Sequence, residues 1–402
     1  MNNLTKSSKP YYQQFDGARG LLTPSIFLLH LHFFYIKGPA TLANFTLHSF
    51  FIASGYLITS ILLKDKARSS SFKHFFIQYY IKRILRIFPV YFGYIFLVIL
   101  LTVLYKLIFG TDFLFTISEL KHYIITLFTF TYNFKDLAII LFGAPNVSSN
   151  FLPHLWSISL EEQFYIIVPF LIYFLSRTQL KILSIIVIIL FIFIRIFGFY
   201  YLHSKTDNYF LLGFAMVRSS VFQFDAFFFG VFVALLPPIN IKYVKRLFLL
   251  FVLIIIINDA FNLVYIQNKF GIHWFEMIGR YDINVRGFSV YTSDFLLNIC
   301  CSCFLMLVIS PEVYISILNK KLFVKWGRVT YGGYVYQYLF ILPIIYFLYP
   351  FLNNHINQFF SELICAILAI FSIMSFSLLS YDKFELYFLN QKDKLYRKFL
   401  KS

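Results

Sequence analysis

The chain has 402 residues, 59% hydrophobic and 13% charged, with a mean hydropathy of +0.74 and a formal net charge of +17. A soluble domain carries about 45–50% apolar and about 25% charged residues, and one soluble core cannot bury this much apolar surface, so the solvent for much of the chain is lipid. The charge does not indicate nucleic acid, because the basic residues fall between apolar runs, where the positive-inside rule puts them, and no zinc-finger spacing or basic helix repeat accompanies them.

Ten apolar segments follow in chain order, at 20–36, 42–63, 87–109, 161–176, 182–201, 222–237, 246–262, 293–310, 331–350 and 361–380. A span needs about 17–25 residues, so the pattern predicts an all-α transmembrane bundle of about ten spans. The stretch 118–142 is interrupted by Lys121, Asn133, Lys135 and Asp136 and reads as interfacial or re-entrant. With the N-terminus cytoplasmic, 25 of the 35 Lys and Arg fall on the cytoplasmic side, which favours both termini inside. No repeat or linker divides residues 1–402, which read as one membrane domain with a short basic cytoplasmic tail from about 383. Nothing at the N-terminus resembles a cleavable signal peptide. Cys300, Cys301, Cys303 and Cys365 lie inside apolar runs and read as packing residues rather than redox or metal ligands.

Within the first segment, "FDGARGLLTPSIFLLHLHFF" places Arg19 at the edge of the apolar run and His30 inside it. Eleven steps of 100° return to within about 20° of one helix face, with a rise of about 16 Å. His30 therefore sits near mid-bilayer beneath Arg19, with Pro24 between them able to kink the helix. Ionisable groups at that depth are costly and face an interior cavity; hydrogen bonding to a neighbouring helix is the plainer account of His30. His32 points about 200° away and reads as structural.

In "YYIKRILRIFPVYF", Arg83 and Arg86 share a helix face at i and i+3. Guanidinium forks at that spacing suit two phosphates, though a basic cluster before a span also anchors topology. Pro89 predicts a break between an interfacial helix and the third span. In "HLWSISLEEQFYIIVPF", Glu161 and Glu162 stand at the outer mouth of the fourth span beside Trp156 and Tyr165, with Ser157 or Ser159 as a helix cap. Capping accounts for one glutamate but not for two on different faces. Asp225, at the start of "QFDAFFFGVFVALL", is read as a cap or as the balance for an arginine in the bundle, and "TYGGYVYQYLFILP" mixes small and aromatic residues as helix contacts prefer.

Together, in this order, these segments and "FFIASGYLIT" (residues 50–59) resemble the acyltransferase family 3 membrane proteins, which O-acylate bacterial surface glycans and other acceptors. The resemblance implies His30 as the catalytic histidine paired with Arg19, and Arg83 and Arg86 as contacts to an acyl-CoA donor, acetyl-CoA first. Glu161 and Glu162 fall in the family's glutamate block, and with Trp156 and Asp225 they are candidates for an acceptor or structural site. Family members commonly carry a histidine at Gln337 and an arginine at Gln223, so any acid–base task at Gln337 is lost here. The extra C-terminal hydrolase-like domain of some members is not in this sequence.

The implied reaction moves an acyl group to a sugar hydroxyl of a glycan or lipid-linked saccharide in the cell membrane. His30 would act as general base, an ordinary imidazole pKa of about 6.5 suiting that work. Acyl-CoA is a co-substrate rather than a resident cofactor, no metal is implied, and membrane lipids are the remaining partners. The competing readings are a transporter or flippase, in which His30, Asp225 and the glutamates relay protons or substrate, and a silent scaffold for glycan assembly.

Overall fold

The computed structural model describes residues 13–33, 40–69, 71–112, 116–147, 150–270 and 287–400, and among them the chain forms helices and no strands. All ten apolar segments fall on helices, although residues 34–36 of the first lie outside the described residues. In chain order these are α1 (Gln13–Leu31), α2 (Ala40–Arg68), α3 (Phe72–Phe109), α4 (Thr116–Phe128), α5 (Lys135–Phe142), α6 (Trp156–Phe174), α7 (Arg177–His203), α8 (Tyr209–Arg218), α9 (Ser220–Gln223) and α10 (Asp225–Leu235). There follow α11 (Ile241–Phe270), α12 (Gly287–Ile309), α13 (Lys321–Arg328), α14 (Thr330–Pro343), α15 (Tyr349–Asn353), α16 (Gln358–Ser380), α17 (Leu386–Asn390) and α18 (Lys392–Leu400). By length and composition, six helical stretches among the described residues are able to cross a membrane, or seven if the bent pair α8–α10 counts as one.

Three local expectations are corrected. The helix α3 runs unbroken through Pro89. Bundle packing tolerates a proline inside a membrane helix; close to Pro89, α14 also ties to α3, the Tyr331 hydroxyl donating to the Ile87 carbonyl at 3.0 Å. The segment 222–237 is not one simple span, because α8 and the helix ending at Leu235 meet at a bend of 66° and α10 itself starts only at Asp225. Finally, α6 begins at Trp156 without a side-chain cap, so Ser157 and Ser159 lie inside the helix and cap nothing. The stretch 118–142 does break, into α4 and α5, with Phe130 at φ 54° between them.

Helices in lipid gain little from apolar contact with one another, so close packing of backbones has to hold them. Two crossings here are made at glycine pairs. A Cβ added to Gly20 would stand 2.0 Å from the Phe323 carbonyl oxygen, and one on Gly327 would stand 1.8 Å from that of Asp16, so α1 and α13 touch backbone to backbone. Likewise a Cβ on Gly55 would meet the Phe227 oxygen at 2.1 Å and one on Gly230 the Ile52 oxygen at 2.0 Å, locking α2 against α10. A carbonyl cannot rotate away as a side chain can. We therefore expect Gly230→Ala and Gly55→Ala to lower the thermal midpoint of the detergent-purified protein, with a loss of at least the 1–3 kcal/mol that overpacking typically costs. Gly333→Ala, whose nearest neighbours are side-chain atoms at 3.4 Å, should leave the midpoint within a few degrees.

Candidate active site

A cavity of about 420 Å³ opens between α1, α2, α3, α6, α14 and the C-terminal helices. Its lining brings together five cations (Arg19, Lys82, Arg83, Arg86 and Lys392) against two carboxylates, Asp65 and Glu161. The arginines that the sequence singled out on separate helices are thus parts of one site.

Arg19 and Arg83 are each held by contacts of their own. The Arg19 Nη2 donates to the Thr330 hydroxyl at 2.7 Å, and its guanidinium lies 5.9 Å from the ring centres of both Phe15 and Phe50. Arg83 stacks over the Tyr165 ring at 4.3 Å, which fixes the plane of the fork as a cation–π contact does. Arg86, one turn on, is exposed to the cavity. The Ser54 hydroxyl donates to Glu161 Oε1 at 3.1 Å, and the Tyr165 hydroxyl donates to Oε2 at 3.0 Å.

This arrangement corrects the placing of the glutamates at an outer mouth. Glu161 lines the arginine cavity itself, because α6 begins before the glutamates and carries them into the bundle. Glu162 points to another face of α6, buried, with its Oε1 lacking a hydrogen-bond partner among the described residues. Trp156 is buried against Phe51, its ring centre 6.3 Å from that of Phe51, and does not line the cavity.

His30 does not line the cavity either. It is half-buried further along α1, its Nδ1 2.8 Å from Gln337 Oε1, its ring 5.2 Å from that of Tyr338. Gln337 Nε2 donates to the Tyr334 carbonyl at 2.9 Å, so the amide must turn its oxygen to the histidine. That oxygen only accepts, which puts the imidazole proton on Nδ1 and leaves Nε2 with a lone pair. Tyr334 itself lines the cavity with Ser157, and the Ser157 hydroxyl donates to Tyr334 at 2.7 Å. The His30–Gln337 pair therefore stands one helical turn beyond the inner lining of the arginine cavity. His154 is a neighbour that the sequence did not mark out. Its ring also packs against Tyr338, at 5.0 Å, and its Nε2 donates to the Val335 carbonyl at 2.9 Å. The signal was present: a histidine directly before the Trp-Ser block.

Asp225 belongs elsewhere, in a second buried network. Arg195, at 0% exposure, pairs with Asp225, donates through Nε to the Phe222 carbonyl at 2.8 Å and lies 3.9 Å from Asp294. Of the two readings of Asp225, balance for an arginine is the one observed. Gln223, where the resemblance expects an arginine, donates to Asp294 at 2.8 Å, so the guanidinium of this neighbourhood arrives from α7 instead. His48 joins through Asn298 at 2.7 Å, and Asn298 donates to Asp225 at 3.3 Å. Removing one partner of a buried pair strands the other, so Arg195→Met should cost about 3–5 kcal/mol, and pairing it with Asp225→Leu and Asp294→Leu should recover most of that. Unfolding in detergent measures both.

The family model of the acyltransferase 3 acyltransferase domain matches residues 12–381. The chain is 32% identical over 182 residues to the peptidoglycan O-acetyltransferase OatA of Listeria monocytogenes, covering 44% of this chain and 26% of that protein. It is 31% identical over 171 residues to a putative O-acetyltransferase of Staphylococcus aureus, covering 42% and 26%. Over 161 residues it is 32% identical to the putative peptidoglycan O-acetyltransferase YrhL of Bacillus subtilis, covering 40% and 23%. The matches thus span about a quarter of each relative's length. No solved structure matches the chain.

Proposed function

Because the chain belongs to acyltransferase family 3 and is therefore an acyltransferase, we propose that it transfers an acetyl group from acetyl-CoA to a hydroxyl of a cell-surface glycan. Peptidoglycan, which the names of two relatives give as their substrate, is the first acceptor to try. The observation that carries the donor assignment is the convergence of Arg19, Arg83 and Arg86 in one open cavity with an excess of positive charge. Coenzyme A is polyanionic, and forked guanidinium groups suit its diphosphate.

In this reading the cavity holds the nucleotide end while the pantetheine arm reaches inward past Ser157 and Tyr334 toward His30. The rise of about 16 Å along α1 from Arg19 to His30 is a distance that an extended arm bridges. His30 Nε2 takes the proton of the attacking hydroxyl as its oxygen bonds to the thioester carbonyl carbon. The carbon–sulfur bond then breaks, the acetyl ester forms, and the thiolate leaves and recovers a proton. If transfer takes two steps, the first hydroxyl belongs to an intermediate acceptor. Gln337 positions the imidazole, presenting the correct tautomer without titrating. Glu161, inside the donor cavity, orients Tyr165 and so Arg83 rather than reaching for glycan. Both termini are cytoplasmic in this proposal, with about ten crossings of the plasma membrane, which brings the cavity to the side where acetyl-CoA is found; the distribution of Lys and Arg supports this. A transporter would use the bend before α10, but Arg195, Asp225 and Asp294 are already committed to one another there.

The test is mass spectrometry of a defined surface polysaccharide from cells making matched amounts of wild type and His30→Ala. A gain of about 42 Da per acetyl that disappears in the variant is the expected result, whereas persistence of the product would remove His30 from the mechanism. Arg83→Lys and Arg86→Lys should each weaken acetyl-CoA binding roughly ten- to a hundredfold, the worth of one charged hydrogen bond; unchanged KM would reduce the pair to topology anchors. Gln337→Leu should lower kcat at least tenfold with little change in the KM for acetyl-CoA, by freeing the wrong tautomer.

A further inference from the structure

The basic tail that the sequence shows from about 383 is built into the molecule. A π-helical turn, Tyr381–Glu385, follows α16, and the helical run continues through it along α3. There Phe384 lies 3.6 Å from the Cβ position of Gly93, and the Tyr396 hydroxyl donates to the Gln78 carbonyl at 3.0 Å. Strapped in this way, the C-terminal helices bring Leu389 and Lys392 to the lining of the arginine cavity.

Two kinds of cation then meet in one cavity. The guanidinium groups of Arg19, Arg83 and Arg86 share it with Glu161, while Asp65, in the last turn of α2, marks its rim. At that rim are two ammonium groups from separate elements. Lys82 lies 3.4 Å from Asp65. Lys392 is half-buried and has no ion pair or hydrogen bond with another described residue. One carboxylate against two ammonium groups leaves a positive charge at the rim unbalanced. An ammonium is a compact point charge that suits a terminal phosphate, whereas the forked groups suit bridging diphosphate oxygens.

Resting on the donor reading above, we propose that Lys392 and Lys82 bind the phosphomonoester on the ribose of coenzyme A, making the C-terminal helix a specificity element of the donor site. The rim then selects a nucleotide donor that carries this phosphate over one that lacks it, such as 3′-dephospho-CoA.

The experiment is calorimetric binding of coenzyme A and 3′-dephospho-CoA to the full-length protein in nanodiscs at fixed salt. Wild type should prefer coenzyme A by about tenfold or more, the worth of a charged hydrogen bond. Lys392→Gln and Lys82→Gln should each erase most of that preference and leave binding of 3′-dephospho-CoA within about twofold. Lys392→Arg should keep the preference, which shows that the helix is still in place, and Lys394→Gln on the same helix should change nothing. Equal weakening of both ligands by Lys392→Gln, or no change in either, would overturn the proposal. Equal wild-type affinity for the two ligands would overturn it while leaving the donor reading intact. Binding of neither ligand would sink the donor reading and this one with it.

Discussion

The site depends on four glycines. Gly20 follows Arg19, and its contact with the Phe323 carbonyl sets α1 directly on α13. The chain leaves α13 through Gly327 and reaches Thr330, the residue that receives the Arg19 hydrogen bond. Gly55 follows Ser54, and its contact with the Phe227 carbonyl sets α2 on α10, which leaves Ser54 in reach of Glu161 on α6. Because lipid offers no hydrophobic drive to hold polar helix faces together, backbone contact is what keeps these groups at hydrogen-bonding distance.

The same medium explains why the charged residues inside the bundle occur as clusters. An isolated charge away from water is costly, and several of the buried ones here have found others. Glu119 holds Lys135 at 2.6 Å between α4 and the start of α5, Asp136 holds Arg218 at 3.0 Å, and Arg195 sits between Asp225 and Asp294. These three clusters are closed on themselves and tie neighbouring segments together. The arginine cavity differs from them in having more cations than carboxylates and an opening. A charge imbalance that its lining does not itself neutralise is what sets this cavity apart from the three staples.

Between the cavity and His30 stands a layer of hydroxyl and aromatic groups. Ser157 and Tyr334 face the cavity, while Tyr338 touches the rings of both His30 and His154. The cation-rich cavity lining and the His30 imidazole are thereby kept one helical turn apart along α14. Gln337 serves this separation by spending its amide hydrogen on Tyr334 and its oxygen on His30, so the tautomer is decided by backbone geometry.

The sequence by itself determined that the chain is a helical membrane protein and where its ten apolar segments run, because lipid demands long apolar helices and their composition is visible residue by residue. It also picked out Arg19, His30, Arg83, Arg86 and Glu161, since charged groups stand out against an apolar background. It did not determine that Glu161 shares a cavity with the arginines, or that Asp225 is partnered by Arg195, thirty residues away in the chain. Nor did it reveal that the tail lines the cavity with Lys392. Nor did it reveal that α3 runs on through Pro89. Each of these outcomes depends on which helix lies beside which, and that is settled by backbone contacts between segments distant in the chain, where a glycine, a freed carbonyl or a bend counts only once its neighbour is in place.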